Sequence, residues 1–110
     1  MKRQIQSLDF NANQSLLDLI NTKLEKISHF SDRILECNVV LKLDKSDTRD
    51  NKVCEIRLAI PGNDLFAKKI GKTFEEAFEH VIHALEKQLT TWKTKTHDRH
   101  VKITKSNLDA

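Results

Sequence analysis

Residues 53–92 read VCEIRLAIPGNDLFAKKIGKTFEEAFEHVIHALEKQLTTW, and most of the fold follows from them. Apolar and polar residues alternate from Val53 to Ile60, which predicts a strand with one buried face. The segment PGND at 61–64 has the composition of a turn. The run that follows, 64–70, is therefore predicted to be a second strand that forms a hairpin with the first.

The same stretch ends in a strongly patterned helix. Thr73 begins a capping box with Glu76 three residues later, which is a typical helix start. Apolar residues then recur at intervals of three and four, so they share one face up to a predicted helix end near Thr94. These apolar residues are Phe74, Phe78, Val81, Leu85, Leu89 and Trp92.

The residues before this stretch predict two more strands and one helix. Residues 3–10 are predicted to form a short strand, and residues 14–28 a helix with a single apolar stripe. Either Asn11 or Asn13 can cap this helix. Residues 35–44 alternate again and predict a strand with five inward residues, namely Leu35, Cys37, Val39, Leu41 and Leu43.

The order of elements indicates an α+β fold. A helix between the first two strands allows a parallel right-handed crossover, and the short links after it favour antiparallel pairing. Each helix has one apolar stripe and the sheet has one apolar face. We therefore predict a βαβββα two-layer sandwich, with two helices packed on one face of a four-stranded sheet. The other sheet face, with Lys42, Glu55 and Arg57, is expected to stay in water.

The composition is that of one soluble domain. The chain has 110 residues, with 19 Lys and Arg, 16 Asp and Glu, and a net charge of +3. No apolar run approaches the ~20 residues of a membrane span, and the polar start lacks the apolar segment of a secretory signal. Cys37 and Cys54 are too few for a disulfide framework. We expect a reduced, cytoplasmic protein without a membrane partner.

No catalytic motif is visible in the sequence. A phosphate-cradling glycine loop, a GxSxG elbow and an HExxH site are all missing. His80 and His83 are close enough on the second helix to share a metal, but the spacing marks no third ligand. Cys37 and Cys54 occupy inward strand positions, where a thiol acts as a small apolar group. We expect no enzymatic activity, no cofactor, no metal and no small-molecule substrate.

The basic residues concentrate toward the end of the chain. Residues 87–105 carry six basic side chains and one acidic, whereas residues 1–86 carry 13 basic and 14 acidic. Such a segment indicates a polyanionic partner, because a Lys or Arg near a phosphate releases a condensed counterion. Solvated cations at a helix C-terminus, where they meet the negative end of the helix dipole, would explain the same pattern. We expect residues 1–95 to form the folded domain and residues 96–110 a basic, mobile tail.

Exposed cations near the two helices are the candidate contacts to a nucleic acid. Five of them lie on the predicted helices: Lys23, Lys26, Lys87, Lys93 and Lys95. Three more are expected at the end of the groove between the helices: Arg33, Lys42 and Lys45. A helix and sheet module with such a groove can grip phosphates without reading bases. Trp92 has core spacing, although its place near a helix end also suits contact with a ribose or base.

Four short segments give the chain a family resemblance. They are KLEK at 23–26, FSDRI at 30–34, VLKLDK at 40–45 and ALEKQL at 84–89. Their order and nearly gapless spacing resemble the ribosome hibernation-promoting factors, a family that includes the ribosome-associated inhibitor protein Y. The resemblance covers about residues 1–95, and it is to the short form of the family, without the C-terminal domain that pairs two ribosomes.

The resemblance implies the same βαβββα fold and a function on the ribosome. It implies binding to the small subunit in the channel between head and body, where the domain contacts ribosomal RNA and blocks mRNA and tRNA in stationary phase or stress. The implied rRNA contacts are Lys23, Lys26, Arg33, Lys42, Lys45, Lys87, Lys93 and Lys95. Two outcomes stay open: ribosome dimers, formed with a separate dimerising factor, or inactive single ribosomes.

Two other functions compete with this interpretation. The first is a general structured-RNA-binding module of the double-stranded-RNA-domain type, which the same two layers would suit. The second is an adaptor that binds another protein through the wet face of the sheet. Lys→Ala changes at Lys87, Lys93 and Lys95 distinguish the adaptor from RNA binding, since an adaptor of that kind does not depend on the charges of the helices.

Overall fold

The computed structural model describes residues 1–8, 10–44 and 50–105, with residues 95–105 as backbone only. The chain has the predicted βαβββα order. Its elements are β1 (Lys2–Ser7), α1 (Gln14–Phe30), β2 (Glu36–Leu43), β3 (Lys52–Ile60), β4 (Asn63–Gly71) and α2 (Phe74–Lys105).

The four strands form one mixed sheet in the order β1-β2-β3-β4. β1 runs parallel to β2, because α1 carries the chain back to the end of the sheet at which β1 begins. β2, β3 and β4 pair antiparallel, and the turn at Gly62 (φ 82°) closes the hairpin between β3 and β4. Both the predicted parallel crossover and the predicted hairpin are confirmed.

Both helices pack on one face of this sheet. The register places Val39, Ile56 and Ala67 side by side on that face, and all three are buried. From the helices, Leu24 and Phe78 are fully buried in the same core cluster. This arrangement confirms the two-layer sandwich with a single core. Neither helix has a stretch that is apolar enough, over sufficient length, to cross a membrane in its described part.

Local capping fixes where each helix begins. The Asn13 Oδ1 atom accepts a hydrogen bond from the Leu16 N–H at 2.8 Å, so Asn13 rather than Asn11 caps α1. Thr73 Oγ1 accepts one from the Glu76 N–H at 3.0 Å, as the capping box predicts. Gly71 lets α2 start directly against β4, since a Cβ at this position would lie 2.9 Å from the Ala77 backbone nitrogen.

The predicted end of the second helix near Thr94 is wrong, because α2 continues to Lys105. The physical reason is visible in the composition: no glycine or proline follows Gly71, so no residue stops the helix. The boundary expected at residue 95 therefore falls inside α2. The mobility of residues 96–110 stays a prediction, and residues 106–110 lie outside the described residues.

The burial predicted for the ends of the second strand is also wrong. Leu35 is 61% exposed and Leu43 is 43% exposed, whereas Cys37, Val39 and Leu41 are buried as predicted. Ile34 lies in the core in place of Leu35. Leu35 precedes β2, and Leu43 is the last residue of β2, so both lie at the ends of the strand. The first strand is also shorter than the predicted 3–10, since it runs from Lys2 to Ser7.

Both cysteines are free and buried in the core. Burial raises the pKa of the Cys37 and Cys54 thiols to about 12. The thiolate is the reactive form, so both residues should be inert in the folded chain.

We predict that a disulfide reagent at about pH 8 labels the two thiols of the folded chain roughly 1,000 times more slowly than those of the unfolded chain. Labelling rates measured along a urea series should follow global unfolding; fast labelling of both thiols without urea would contradict this packing.

Candidate nucleic-acid interface

The two helices run parallel along the sheet. Phe10, just before α1, stacks on Phe74 at the start of α2, with ring centroids 4.5 Å apart. At the other end, the Lys93 ammonium reaches the carbonyl oxygen of Phe30, the last residue of α1. The C-terminal half of α1 therefore lies beside the middle of α2, and side chains from both helices share one surface.

Acidic side chains concentrate at the start of α2. The first turns of α2 carry Glu75, Glu76 and Glu79, which suits the positive end of the helix dipole. The predicted cations lie further along each helix, beyond its first turns. Because the helices are parallel, most of these cations lie toward the C-terminal part of the helix layer, whereas Lys23 lies opposite Glu79 and Glu86 lines the surface beside Lys87. We call this group the helix-layer cations: Lys23, Lys26, Arg33, Lys87 and Lys93.

Arg33 is fixed against the ring of Trp92. Its guanidinium carbon lies 4.9 Å from the ring centroid, and its backbone N–H donates to the Ser31 hydroxyl at 3.1 Å. Stacking on an indole holds the guanidinium plane while its edge donors stay available to a phosphate. Trp92 is half-buried and packs against the core, so it anchors Arg33 to the folded domain.

Lys93 has a structural role that the sequence did not reveal. Its ammonium donates to the Phe30 carbonyl oxygen at 2.9 Å and lies 4.7 Å from the centroid of the Phe30 ring. A cation at this position satisfies a free carbonyl of α1 and meets the negative end of its dipole. Lys93 thus joins the two helices and still presents a positive charge at the surface.

Lys23 and Lys26 differ in how free their charges are. The Lys23 ammonium lies 3.8 Å from a Glu79 carboxylate oxygen across the helix groove, so part of its charge is neutralised. Lys26 is exposed one turn further along α1. It has no carboxylate partner among the described residues, and the same holds for Arg33 and Lys87.

Lys87 stands on the outer side of α2, about two and a half turns from the buried Phe78. It lines a surface cavity of about 450 Å³ between α2 and the β4 edge. The other residues of this cavity are Lys69, His80, His83 and Ala84. Both histidines are exposed and face away from the core, as predicted. No three His, Cys, Asp or Glu side chains of the described chain are close enough to share a metal.

Lys69 is a cation of this region that the candidate set missed. The pair Lys68-Lys69 leaves the inner side of the strand ambiguous in sequence, whereas the register resolves it. Lys69 pairs with Cys54, which faces the helices, and Lys68 lies on the other side, 4.0 Å from Glu55. Strand alternation from buried Ala67 gives the same side, but the sequence alone does not show that Ala67 is buried.

The structure places Lys42 away from the other candidates. Its neighbours Cys37, Val39 and Leu41 face the helices, so strand alternation turns Lys42 to the opposite sheet face. There its ammonium lies 2.7 Å from a Glu55 carboxylate oxygen. The prediction that Lys42 stands at the end of the helix groove is therefore wrong. Lys45 and the Lys95 side chain lie outside the described residues.

One carboxylate beside the helix-layer cations is already neutralised. Arg3 of β1 donates a side-chain hydrogen bond to Glu25 of α1 and forms an ion pair with it. This hydrogen bond, together with the charge of Arg3 and a smaller effect of His29, holds the pKa of Glu25 below its usual range. Glu25 therefore stays ionised but paired, and it opposes the nearby cations less than a free carboxylate would.

Comparison with known proteins gives consistent matches over nearly the whole chain. Residues 3–97 match the sequence profile of a family described as "Sigma 54 modulation protein / S30EA ribosomal protein". Proteins named "Ribosome hibernation promoting factor" from Klebsiella oxytoca and Salmonella typhimurium are each 26% identical over 95 residues. The alignment covers 86% of this chain and 96% of each relative.

Two solved structures share the fold. A ribosomal subunit interface protein from Coxiella burnetii superposes with a TM-score of 0.75 at 20% identity, over 86% of this chain and 99% of that one. The N-terminal domain of Thermus thermophilus Protein Y gives a TM-score of 0.71 at 19% identity, over 84% and 99%. Agreement at this level of identity concerns the fold, and it extends to almost the full length of both domains.

Proposed function

The chain belongs to the sigma 54 modulation protein and S30EA ribosomal protein family, and on that basis we propose that it is a ribosome hibernation factor. It binds the small ribosomal subunit in the channel for mRNA and tRNA and inhibits translation in stationary phase or stress. It acts in the cytoplasm, as an occluding domain without catalysis or a cofactor. The names of its relatives, a ribosome hibernation promoting factor and a ribosomal subunit interface protein, support this proposal.

The observation that carries the proposal is the set of exposed cations on the helix layer that have no carboxylate partner. Lys26 of α1, Arg33 of the following loop and Lys87 of α2 are exposed and have no carboxylate partners in the described structure. Lys26 and Lys87 gain little from the protein itself, and Arg33, although stacked on Trp92, keeps its edge donors available. All three gain from a phosphate backbone, because each contact releases a condensed counterion. The proposed contact to ribosomal RNA also includes Lys23, Lys93, Lys45 and Lys95. It does not include Lys42, which pairs with Glu55 on the opposite sheet face.

The proposed mode of action is steric. Electrostatic contacts hold the domain on rRNA phosphates, and the volume of the domain excludes mRNA and tRNA from the same channel. We predict that small subunits loaded with mRNA and initiator tRNA bind the chain at least about tenfold more weakly than vacant subunits, since each ligand must displace the other. Co-sedimentation of the purified chain with both preparations measures this difference.

The controls of this experiment separate the proposal from general RNA binding. A structured RNA duplex serves as competitor at the same nucleotide concentration. We expect it to displace the chain from vacant subunits only at large excess. Equal binding to loaded and vacant subunits, or equal affinity for duplex and subunit, would instead favour a general structured-RNA-binding module. In a gradient of extract from starved cells, the chain should travel with ribosomes and not remain at the top.

A further inference from the structure

A cavity of about 370 Å³ lies between α2 and the start of β4, beside the free cations. Its lining residues are Asn63, Leu65, Lys87, Gln88, Thr91 and Trp92. The volume is at the small end of the range for ligand sites, so it suits one flat ring system better than a larger molecule. Arg33 is not among the lining residues and lies over the Trp92 ring from the loop after α1.

The lining combines an aromatic surface with fixed amide groups. Leu65 and Trp92 supply apolar surface, and both are half-buried against the core. The Gln88 side-chain nitrogen donates to the Phe66 carbonyl oxygen at 3.0 Å, which orients the amide and leaves its Oε1 atom as an acceptor. The Asn63 amide makes no hydrogen bond within the described chain, so its donor and acceptor are both available.

We propose that this cavity binds the base of an unpaired RNA nucleotide, which stacks on Trp92 and bonds to the Asn63 and Gln88 amides. An indole, two amides and a lysine are the groups that recognise a splayed-out base and its phosphate. A base inside a duplex cannot enter, because both its faces are already stacked. The proposal deepens the proposed function, since it rests on RNA being the partner of the helix layer.

The phosphate of the same nucleotide has a place beside the base. Lys87 lines this cavity and also the neighbouring one, which contains Lys69, His80 and His83. The neighbouring cavity contains only nitrogen-bearing polar side chains. A strand that places its base on Trp92 therefore passes its phosphate over Lys87 toward Lys69. This path joins the two cavities into one nucleotide site at the edge of the helix layer.

Trp92 reports directly on this site, because the chain has one tryptophan and no tyrosine. The test titrates the full chain with a single-stranded oligoadenylate, a duplex RNA of equal length and inorganic polyphosphate. We expect a saturable loss of tryptophan fluorescence with the single strand only. An equal loss with duplex or polyphosphate, or none with the single strand, would overturn the base site.

Variants give a second readout through the affinity for a fluorescently labelled oligoadenylate. Asn63→Ala alters an exposed residue at the start of β4 and should weaken binding about fivefold, and Trp92→Leu on the order of tenfold. Trp92→Phe keeps an aromatic face and should restore most of the affinity. Thr90→Ala, on the same helix outside the cavity, is the matched control. Unchanged affinity in both Asn63→Ala and Trp92→Leu would overturn the site even where Trp92→Leu lowers stability.

Co-sedimentation with small subunits keeps this proposal separable from the proposed function. A chain that sediments with subunits, but whose fluorescence ignores single-stranded RNA, overturns the base site and leaves hibernation intact. A chain quenched by single-stranded RNA that fails to sediment supports the base site and overturns the ribosomal function.

Discussion

A triple variant, Lys26→Ala, Arg33→Ala and Lys87→Ala, is expected to bind small subunits about 100-fold more weakly than the original chain. Each side chain is exposed and has no carboxylate partner in the described structure, so the fold loses little beyond the stacking of Arg33 on Trp92. A charged contact to a phosphate is worth about 1 kcal/mol in net terms, and three such contacts amount to roughly 100-fold in affinity.

The salt dependence of binding makes this expectation more specific than a loss of affinity. Each phosphate contact that disappears lowers the slope of log K against log salt by about one unit. The triple variant should therefore lose about three units, as measured by co-sedimentation over a potassium chloride series. A change in affinity with an unchanged slope would mean that the three residues act through folding and not through phosphate contacts.

The matched control is a double variant on the opposite sheet face, Lys42→Ala and Lys68→Ala. Both ammonium groups lie within 4.0 Å of Glu55, so this carboxylate neutralises part of their charge. We expect less than about a threefold change in affinity and no change in salt slope. If this pair weakens binding as much as the helix-layer triple, the sheet face takes part in the contact and the adaptor hypothesis gains support.

The elements of the fold were predictable because each one has a periodic pattern of apolar residues over a short stretch of sequence. The 3.6-residue period places Leu24 and Phe78 inside, and the alternation of the strands places Cys37, Val39 and Leu41 inside. Side-chain caps at Asn13 and Thr73 are equally local, since the acceptor and the amide it bonds lie three residues apart. Local chemistry of this kind survives in any tertiary context that buries the same faces.

The candidate site was only partly predictable, because its geometry depends on contacts between distant residues. Lys93 donates a hydrogen bond to the Phe30 carbonyl oxygen, 63 positions away in sequence, and no local pattern near either residue predicts this contact. Lys42 shows the opposite situation. The side of Lys42 follows from the alternation of β2, so this information was present in the sequence, whereas the side of Lys69 became clear only from the pairing of β4 with β3.

The largest expected effect on stability is at Phe78, because the position of α2 on the sheet depends on it. Phe78 has no exposed surface and belongs to the core that both helices share with the sheet. Phe78→Ala removes most of a buried aromatic side chain and leaves a cavity, so it should cost about 3–5 kcal/mol. For a domain with a free energy of unfolding on the order of 5–15 kcal/mol, this is a large fraction of the total.

Phe66→Ala is the matched control, since it removes the same atoms from the outer sheet face. Phe66 is 44% exposed, and the Arg57 guanidinium carbon lies 5.6 Å from its ring centroid, so its loss should cost less than about 1 kcal/mol. Urea unfolding followed by circular dichroism measures both variants against the original chain. Equal costs at the two positions would mean that α2 does not rest on the sheet through Phe78. The helix-layer cations would then lack the rigid support that places both helices in one surface.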